Sequence, residues 1–180
     1  PVRLGAAGGL GDPASIAAAY TLGASYVLVG SVHQATVESG LSSQAKALLA
    51  QADIADTIVC PSADMFEIGG KVQVLKKGTM MGVRGKRLWE IYNRFASLDD
   101  IPVDIVTEIE RTIFRDSLLA IWQSTEKYFN QIDIEEVRRA ERNPKYKMAL
   151  VFRWYLGSSS QWALTGDPER QLDYQIWCGP

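Results

Sequence analysis

The chain has 180 residues, 47% of them hydrophobic, enough to bury a real core in one or two compact domains. Its 19 basic and 21 acidic residues leave a formal charge of -2, so nothing global points to nucleic acid or to an anionic membrane surface. No apolar run approaches the ~20 residues of a membrane span, and Cys60 and Cys178 stand far apart without metal-like spacing, which predicts reduced thiols in a cytoplasmic protein and no metal centre.

Pro1 is not a natural initiator, and the chain enters an apolar segment at once, which predicts that residues are missing before it. Val2 to Ala6 reads as a short buried strand, followed by the loop Ala7-Gly8-Gly9-Leu10-Gly11. Asp12 offers an N-cap and Pro13 suits the first helical position, so Ala14 to Leu22 is predicted helical, closed by Gly23 as a left-handed cap. Ser25 to Val29 is a second strand whose continuous apolar character suits a parallel strand buried on both faces, with Gly30-Ser31 at its carboxyl end. Strand, helix, strand within this span makes one βαβ unit.

Beyond it, Ser42 to Ala52 reads as an alanine-rich helix and Thr57 to Cys60 as at most a brief extended piece. Apolar residues then recur at helical spacing in four stripes: Leu88 to Phe95, Ile105 to Ile113, Leu118 to Phe129 and Met148 to Tyr155. Asp100 to Pro102, Asp133, Asn143-Pro144 and Gly157 to Ser160 punctuate them with turn or cap chemistry. The predicted class is α/β, with a βαβ segment over 1–55 and a mainly helical domain over 56–180.

Two glycine loops after successive parallel strands match the last two strand ends of a (β/α)8 barrel, where backbone N–H groups and a helix N-terminus hold a phosphate. The candidate binding residues are Ala7, Gly8, Gly9, Gly11, Gly30 and Ser31, the last with a hydroxyl donor as well. A dinucleotide-binding fold fits less well, because the glycine spacing departs from its pattern and no acidic residue ends the next strand. His33, the only histidine, stands near the phosphate loop as an acid, a base or a cofactor contact, but a lone histidine without a visible partner reads sooner as a polar loop residue. Six basic residues without an intervening acid, Lys71, Lys76, Lys77, Arg84, Lys86 and Arg87, read as a solvated face, or as a patch for an acidic carrier or a phosphate. Asp64 and Glu67 suit capping or a salt bridge better than acid–base catalysis. Phe152-Arg153-Trp154-Tyr155 reads as packing, with Arg153 satisfied by a carboxylate.

With these residues in hand, the whole chain resembles the PfaD-type enoyl reductases, a trans-acting branch of the nitronate monooxygenase-like flavin barrels that serves polyunsaturated fatty acid and polyketide synthases. The resemblance rests on the segments Gly5 to Gly11 and Val29 to Ser31, on Ala63 to Glu67, on Gln73 to Thr79, on Met148 to Gly157 and on Asp173 to Pro180. It implies the last βαβ unit of an FMN-binding (β/α)8 TIM barrel followed by a helical domain, in a C-terminal fragment of a longer protein. It further implies NAD(P)H and FMN as cofactors, and reduction of the 2,3-double bond of an enoyl chain held on the phosphopantetheine of an acyl carrier protein. His33 stands where the family pattern has asparagine, and no catalytic residue is assigned. Two other readings remain: flavin-dependent nitronate oxidation, which shares the phosphate loops, and a non-enzymatic docking module or homodimerising unit.

Overall fold

The computed structural model describes residues Val2 to Gly179, so Pro1 and Pro180 lie outside the described residues. Among the described residues four short strands form two two-stranded sheets, β1–β2 and β3–β4, and helices make up most of the rest. The chain is α/β, as expected, and among the described residues the sheets do not close into a barrel.

The chain divides into two compact units, and neither is continuous in sequence. One comprises residues 1–59, 72–82 and 160–180; the other comprises 60–71 and 83–159. The boundary expected at residue 55 therefore gives way to a division in which the chain returns to the first unit twice. Local periodicity cannot reveal such returns, because they are made by pairings between residues far apart in sequence.

In the first unit, β1 (Gly5–Ala7), α1 (Pro13–Thr21) and β2 (Tyr26–Leu28) make the predicted βαβ unit. The strands run parallel, with Gly5 opposite Tyr26, Ala6 opposite Val27 and Ala7 opposite Leu28. Asp12 caps α1, accepting from the N–H groups of Ala14 at 2.9 Å and Ser15 at 3.1 Å, and Gly23 takes a left-handed φ of 101° just past its end. The expectation of full burial fails: Tyr26 is 47% and Leu28 62% exposed. Among the described residues each of these strands pairs with one other, and a parallel strand is buried on both faces only where helices cover both. The short α2 (Ser31–Gln34) follows, then α3 (Ser43–Leu49), capped by the Ser42 hydroxyl, which accepts from Ala45 N–H.

The unit's core lies further along. Ala45 on α3 packs with Leu75, Ala163, Tyr174, Ile176 and Cys178, all buried, and with partly buried Leu48, Leu49 and Trp162. A strand absent from the predicted elements, β4 (Lys71–Leu75), pairs with β3 (Thr57–Pro61); its signal was the alternation Val72-Gln73-Val74 inside a stretch dominated by lysine. The segment around Trp177 lies against β4 as an antiparallel neighbour through a Val74–Trp177 bridge.

The second unit contains most of α4 (Met81–Arg94), then α5 (Val103–Ile109), which passes into a π-helical turn, Glu110–Phe114, followed by α6 (Leu118–Ile132), α7 (Ile134–Arg142) and most of α8 (Pro144–Thr165). The four apolar stripes fall on α4, α5 with the π turn, α6 and α8. Asp133 both ends α6 and caps α7, accepting from Glu135 N–H at 3.1 Å, while Asn143 Oδ1 accepts from Tyr146 N–H at the start of α8. One punctuation is corrected: α8 runs unbroken through Gly157 to Ser160. The Ser159 hydroxyl folds back onto the Tyr155 carbonyl at 2.7 Å, so its polar group is satisfied inside the helix and does not compete with it.

Aromatic packing fills this unit. Phe66, fully buried, meets Trp89 edge-on at 5.3 Å, Tyr92 at 5.0 Å and Phe152 at 6.3 Å between ring centroids. Arg153 pairs with Glu67 at 3.1 Å, as the sequence suggested. Lys145 donates to the carbonyls of Tyr92 and Phe95, tying α8 to the end of α4.

The Tyr146 hydroxyl donates to Glu136, and burial, then that hydrogen bond, push its pKa up to about 12. A phenol that stays protonated in the folded state while the unfolded one ionises near its ordinary value of 10 loses stabilising power as pH rises between those values. Stability of the wild-type chain is therefore expected to fall across that alkaline window. In Tyr146→Phe the same limb of a pH–stability curve flattens; a limb equally steep in both proteins would remove Tyr146 as its source.

Candidate functional site

The parallel register sets the geometry. Because β1 and β2 point the same way, the loop beginning at Gly8 and the turn at Gly30-Ser31 both leave from carboxyl ends, at one edge of the same small sheet. Small residues are required inside the sheet as well. A Cβ on Gly5 would stand 2.2 Å from the Tyr26 ring, closer than any real contact, so glycine lets β1 and β2 pair beneath that aromatic side chain.

In the first loop Gly8 and Gly9 hold φ values of 93° and 67°, a backbone region that glycine enters at little cost. Nothing lies within 4 Å of where a Cβ would be on Gly8, Gly9, Gly11 or Gly30. These glycines are thus not forced by crowding within the described residues. Two are needed for backbone shape, and all four leave open space at the sheet edge for another group to approach the main chain.

One element of the expectation changes. The N-terminus of α1 is occupied by its own carboxylate: Asp12 accepts from two first-turn N–H groups, and the Ser15 interactions hold its carboxyl below the usual range. An anion at this edge would have to use the loop amides, since a charged Asp12 already complements the helix dipole. Ser31 has also gained a partner that the sequence did not announce. Its hydroxyl oxygen accepts from Gly179 N–H at 2.9 Å. Next to it lies a groove of about 320 Å³ lined by Gly30, Ser31, Gln34, Gln73, Trp177 and Gly179, among others.

The other singled-out residues separate. His33 sits on α2, exposed, with its carbonyl accepting from Thr36. Of the basic run, Lys77 pairs with Asp56 at 3.2 Å in the first unit and Arg87 with Glu108 at 2.7 Å in the second, so at least these two are absorbed by acids elsewhere in the sequence. Glu67 serves the Arg153 ion pair, Asp64 is exposed, and Phe152 and Tyr155 are fully buried. Both cysteines are buried thiols, and burial pushes the Cys60 thiol up to about 11. Among the described residues no His, Cys, Asp or Glu cluster could hold a metal ion, and no helix is long and apolar enough to cross a membrane.

Residues 95–174 match the model of the inserted helical domain of [acyl-carrier-protein] S-malonyltransferase. That finding overturns the expected placement in the PfaD-type reductase family: the matched span takes in Met148 to Gly157, one of the segments on which that resemblance rested, and the model it matches is that of a helical domain inserted in an S-malonyltransferase. A polyunsaturated fatty acid synthase component of Thraustochytrium sp. (strain ATCC 26185 / S-3) is 44% identical over 99% of this chain and 12% of its own length. The polyketide biosynthesis protein PksE of Bacillus subtilis (strain 168) is 44% identical over 99% of this chain and 23% of its own. A solved structure, the enoyl reductase domain of MlnA from the macrolactin biosynthesis cluster of Bacillus amyloliquefaciens, superposes with a TM-score of 0.92 at 40% identity, over 99% of this chain and 40% of that one. The chain thus spans less than a quarter of these two curated relatives and under half of the solved one, and its curated relatives are components of polyunsaturated fatty acid and polyketide biosynthesis.

Proposed function

We propose that this chain contributes to a polyunsaturated fatty acid or polyketide synthase component that reduces enoyl thioesters carried on an acyl carrier protein, using FMN and NAD(P)H. The observation that carries the reading is the pair of glycine loops leaving the carboxyl ends of two parallel strands, in a chain 40% identical to an enoyl reductase domain. On this reading β1–α1–β2 is the last unit of a flavin (β/α)8 barrel. The residues suit a phosphate: Gly8 and Gly9 are left-handed and nothing lies within 4 Å of where their Cβ atoms would stand, which leaves the main chain there open to approach. Ala7, Gly8, Gly9, Gly11 and Gly30 would hold the FMN phosphate through backbone N–H groups, and Ser31 through its amide and hydroxyl. When bound, FMN supplies hydride-transfer chemistry between the nicotinamide nucleotide and the 2,3-double bond.

The match over 95–174 favours one second reading, malonyl transfer to a carrier protein. Against it, that segment contains neither histidine nor cysteine, so a serine there would lack an imidazole base in its own segment to activate it as an acyl carrier. The full-length protein, reconstituted with FMN, is expected to oxidise NADPH or NADH when given a crotonyl thioester on a carrier protein. Transfer of malonyl from malonyl-CoA to the carrier with no nucleotide oxidation would replace this reading with the transferase one. Oxygen uptake with a nitroalkane, and none with the enoyl thioester, would replace it with nitronate oxidation.

A further inference from the structure

The segment Asp173 to Gly179 stands out in the sequence, yet nothing in the proposed chemistry uses it. Its placement follows from burial. Tyr174, Ile176 and Cys178 belong to the first unit's core, Gln175 is buried as well, and Trp177 is 52% exposed. Backbone pairing fixes its register. Leu75 N–H donates to the Ile176 carbonyl at 2.9 Å and Cys178 N–H donates to the Gln73 carbonyl at 3.3 Å, while the Tyr174 hydroxyl donates to the Asp167 carbonyl. Core burial and β-pairing together hold the segment rigidly, and its last described amide is delivered to one side chain.

That side chain is Ser31. Gly179 N–H donates to Ser31 Oγ at 2.9 Å, whereas the Ser31 hydroxyl reaches the Gly179 carbonyl only at 3.5 Å, the outer limit of a hydrogen bond. The hydroxyl is therefore held firmly as an acceptor and weakly as a donor. An oxygen that accepts a good hydrogen bond becomes a better donor through its own proton, and an anion arriving beside Gly30 would take that proton from a long, poor contact.

We propose that Gly179 is a positioning residue for a phosphate at the Gly30-Ser31 turn: its N–H orients and polarises the Ser31 hydroxyl, making the terminal strand a brace for that turn. The inference rests on the FMN-phosphate reading above and adds to it a role for the far end of the chain. It also explains why extended residues at 174–179 accompany a site made at residues 30 and 31.

Two substitutions at one position isolate the amide. In Gly179→Ala the N–H remains, and the added methyl meets only Gln73 Oε1 at 3.7 Å, an ordinary contact. In Gly179→Pro the N–H is gone. Affinities for FMN and for riboflavin, which lacks the phosphate, are measured by flavin fluorescence on the full-length protein. Gly179→Pro is expected to weaken FMN about tenfold, in line with loss of one charge-assisted hydrogen bond, with riboflavin changed less than about twofold. Gly179→Ala should match wild type on both. Ser31→Ala, at a partly exposed site that does not endanger folding, is expected to reproduce the proline result. Unchanged FMN affinity in Ser31→Ala, or FMN and riboflavin weakened alike in Gly179→Pro, would overturn the brace. A wild-type protein that binds FMN no more tightly than riboflavin would instead overturn the phosphate reading beneath it.

Discussion

Replacing Phe66 with alanine is expected to cost the second unit about 3–5 kcal/mol of stability, the range for emptying a fully buried aromatic site. The size follows from its surroundings. The ring is completely buried and meets three others, Trp89, Tyr92 and Phe152, at angles between tilted and perpendicular. These neighbours come from α4 and α8 and are bulky and mutually packed, so they cannot collapse into the space without losing their own contacts. Phe66→Leu, which keeps most of the volume, should cost about 1.5 kcal/mol or less. Urea unfolding of both variants, followed by tryptophan fluorescence, reads the difference as a shift in midpoint. A loss below about 1 kcal/mol in the alanine variant would mean that the cluster is not packed as described.

If FMN binds as proposed, Gly9→Asp is expected to weaken that binding by on the order of 100-fold, about 2.7 kcal/mol, because a carboxylate would face the phosphate across a short distance. The substitution separates charge from shape. Gly9 has a φ of 67° with open space where a Cβ would stand, and Asp and Asn are the side chains that tolerate this left-handed backbone best. Gly9→Asn, equal in size and uncharged, should therefore lose less than about fivefold, since it carries only the backbone penalty. Riboflavin affinity should barely change in either protein. If Asp and Asn variants bind FMN equally well, the loop at Gly8-Gly9 does not approach the phosphate.

Much of the local structure was legible from residue types alone, for reasons visible at single positions. Asp12 followed by Pro13 announces the start of α1 because both solve the problem of orphan N–H groups at a helix N-terminus. Asp133 and Asn143-Pro144 bound helices by the same chemistry. The stripes on α4, α6 and α8 are legible because a helix repeats its buried face every three to four residues. Gly157 to Ser160 misled for the opposite reason. Small and hydroxyl residues favour turns in isolation, but Ser159 bonds back to Tyr155 and buried Leu156 and Ala163 hold α8 in place on either side, and such context overrides a weak local preference.

The candidate site was half visible. The sequence by itself determined the two glycine loops and their attachment to successive strands, because left-handed turns and strand–helix–strand order are encoded within about thirty residues. It also determined that Arg153 would need a carboxylate, since a guanidinium beside Phe152 and Tyr155 cannot be left unpaired. Only the tertiary structure decided which carboxylate, Glu67, lying 86 residues away. It alone brought Gly179 to Ser31 across 148 residues and set Ile176 to Cys178 beside β4. Those pairings come from backbone hydrogen bonds and from burial of Tyr174, Ile176 and Cys178 against Ala45 and Leu75. Backbone donors are identical at every non-proline residue and burial is nearly indifferent to which apolar partner provides it, so the partner across such a distance is written in no local pattern and is fixed only when the whole chain packs.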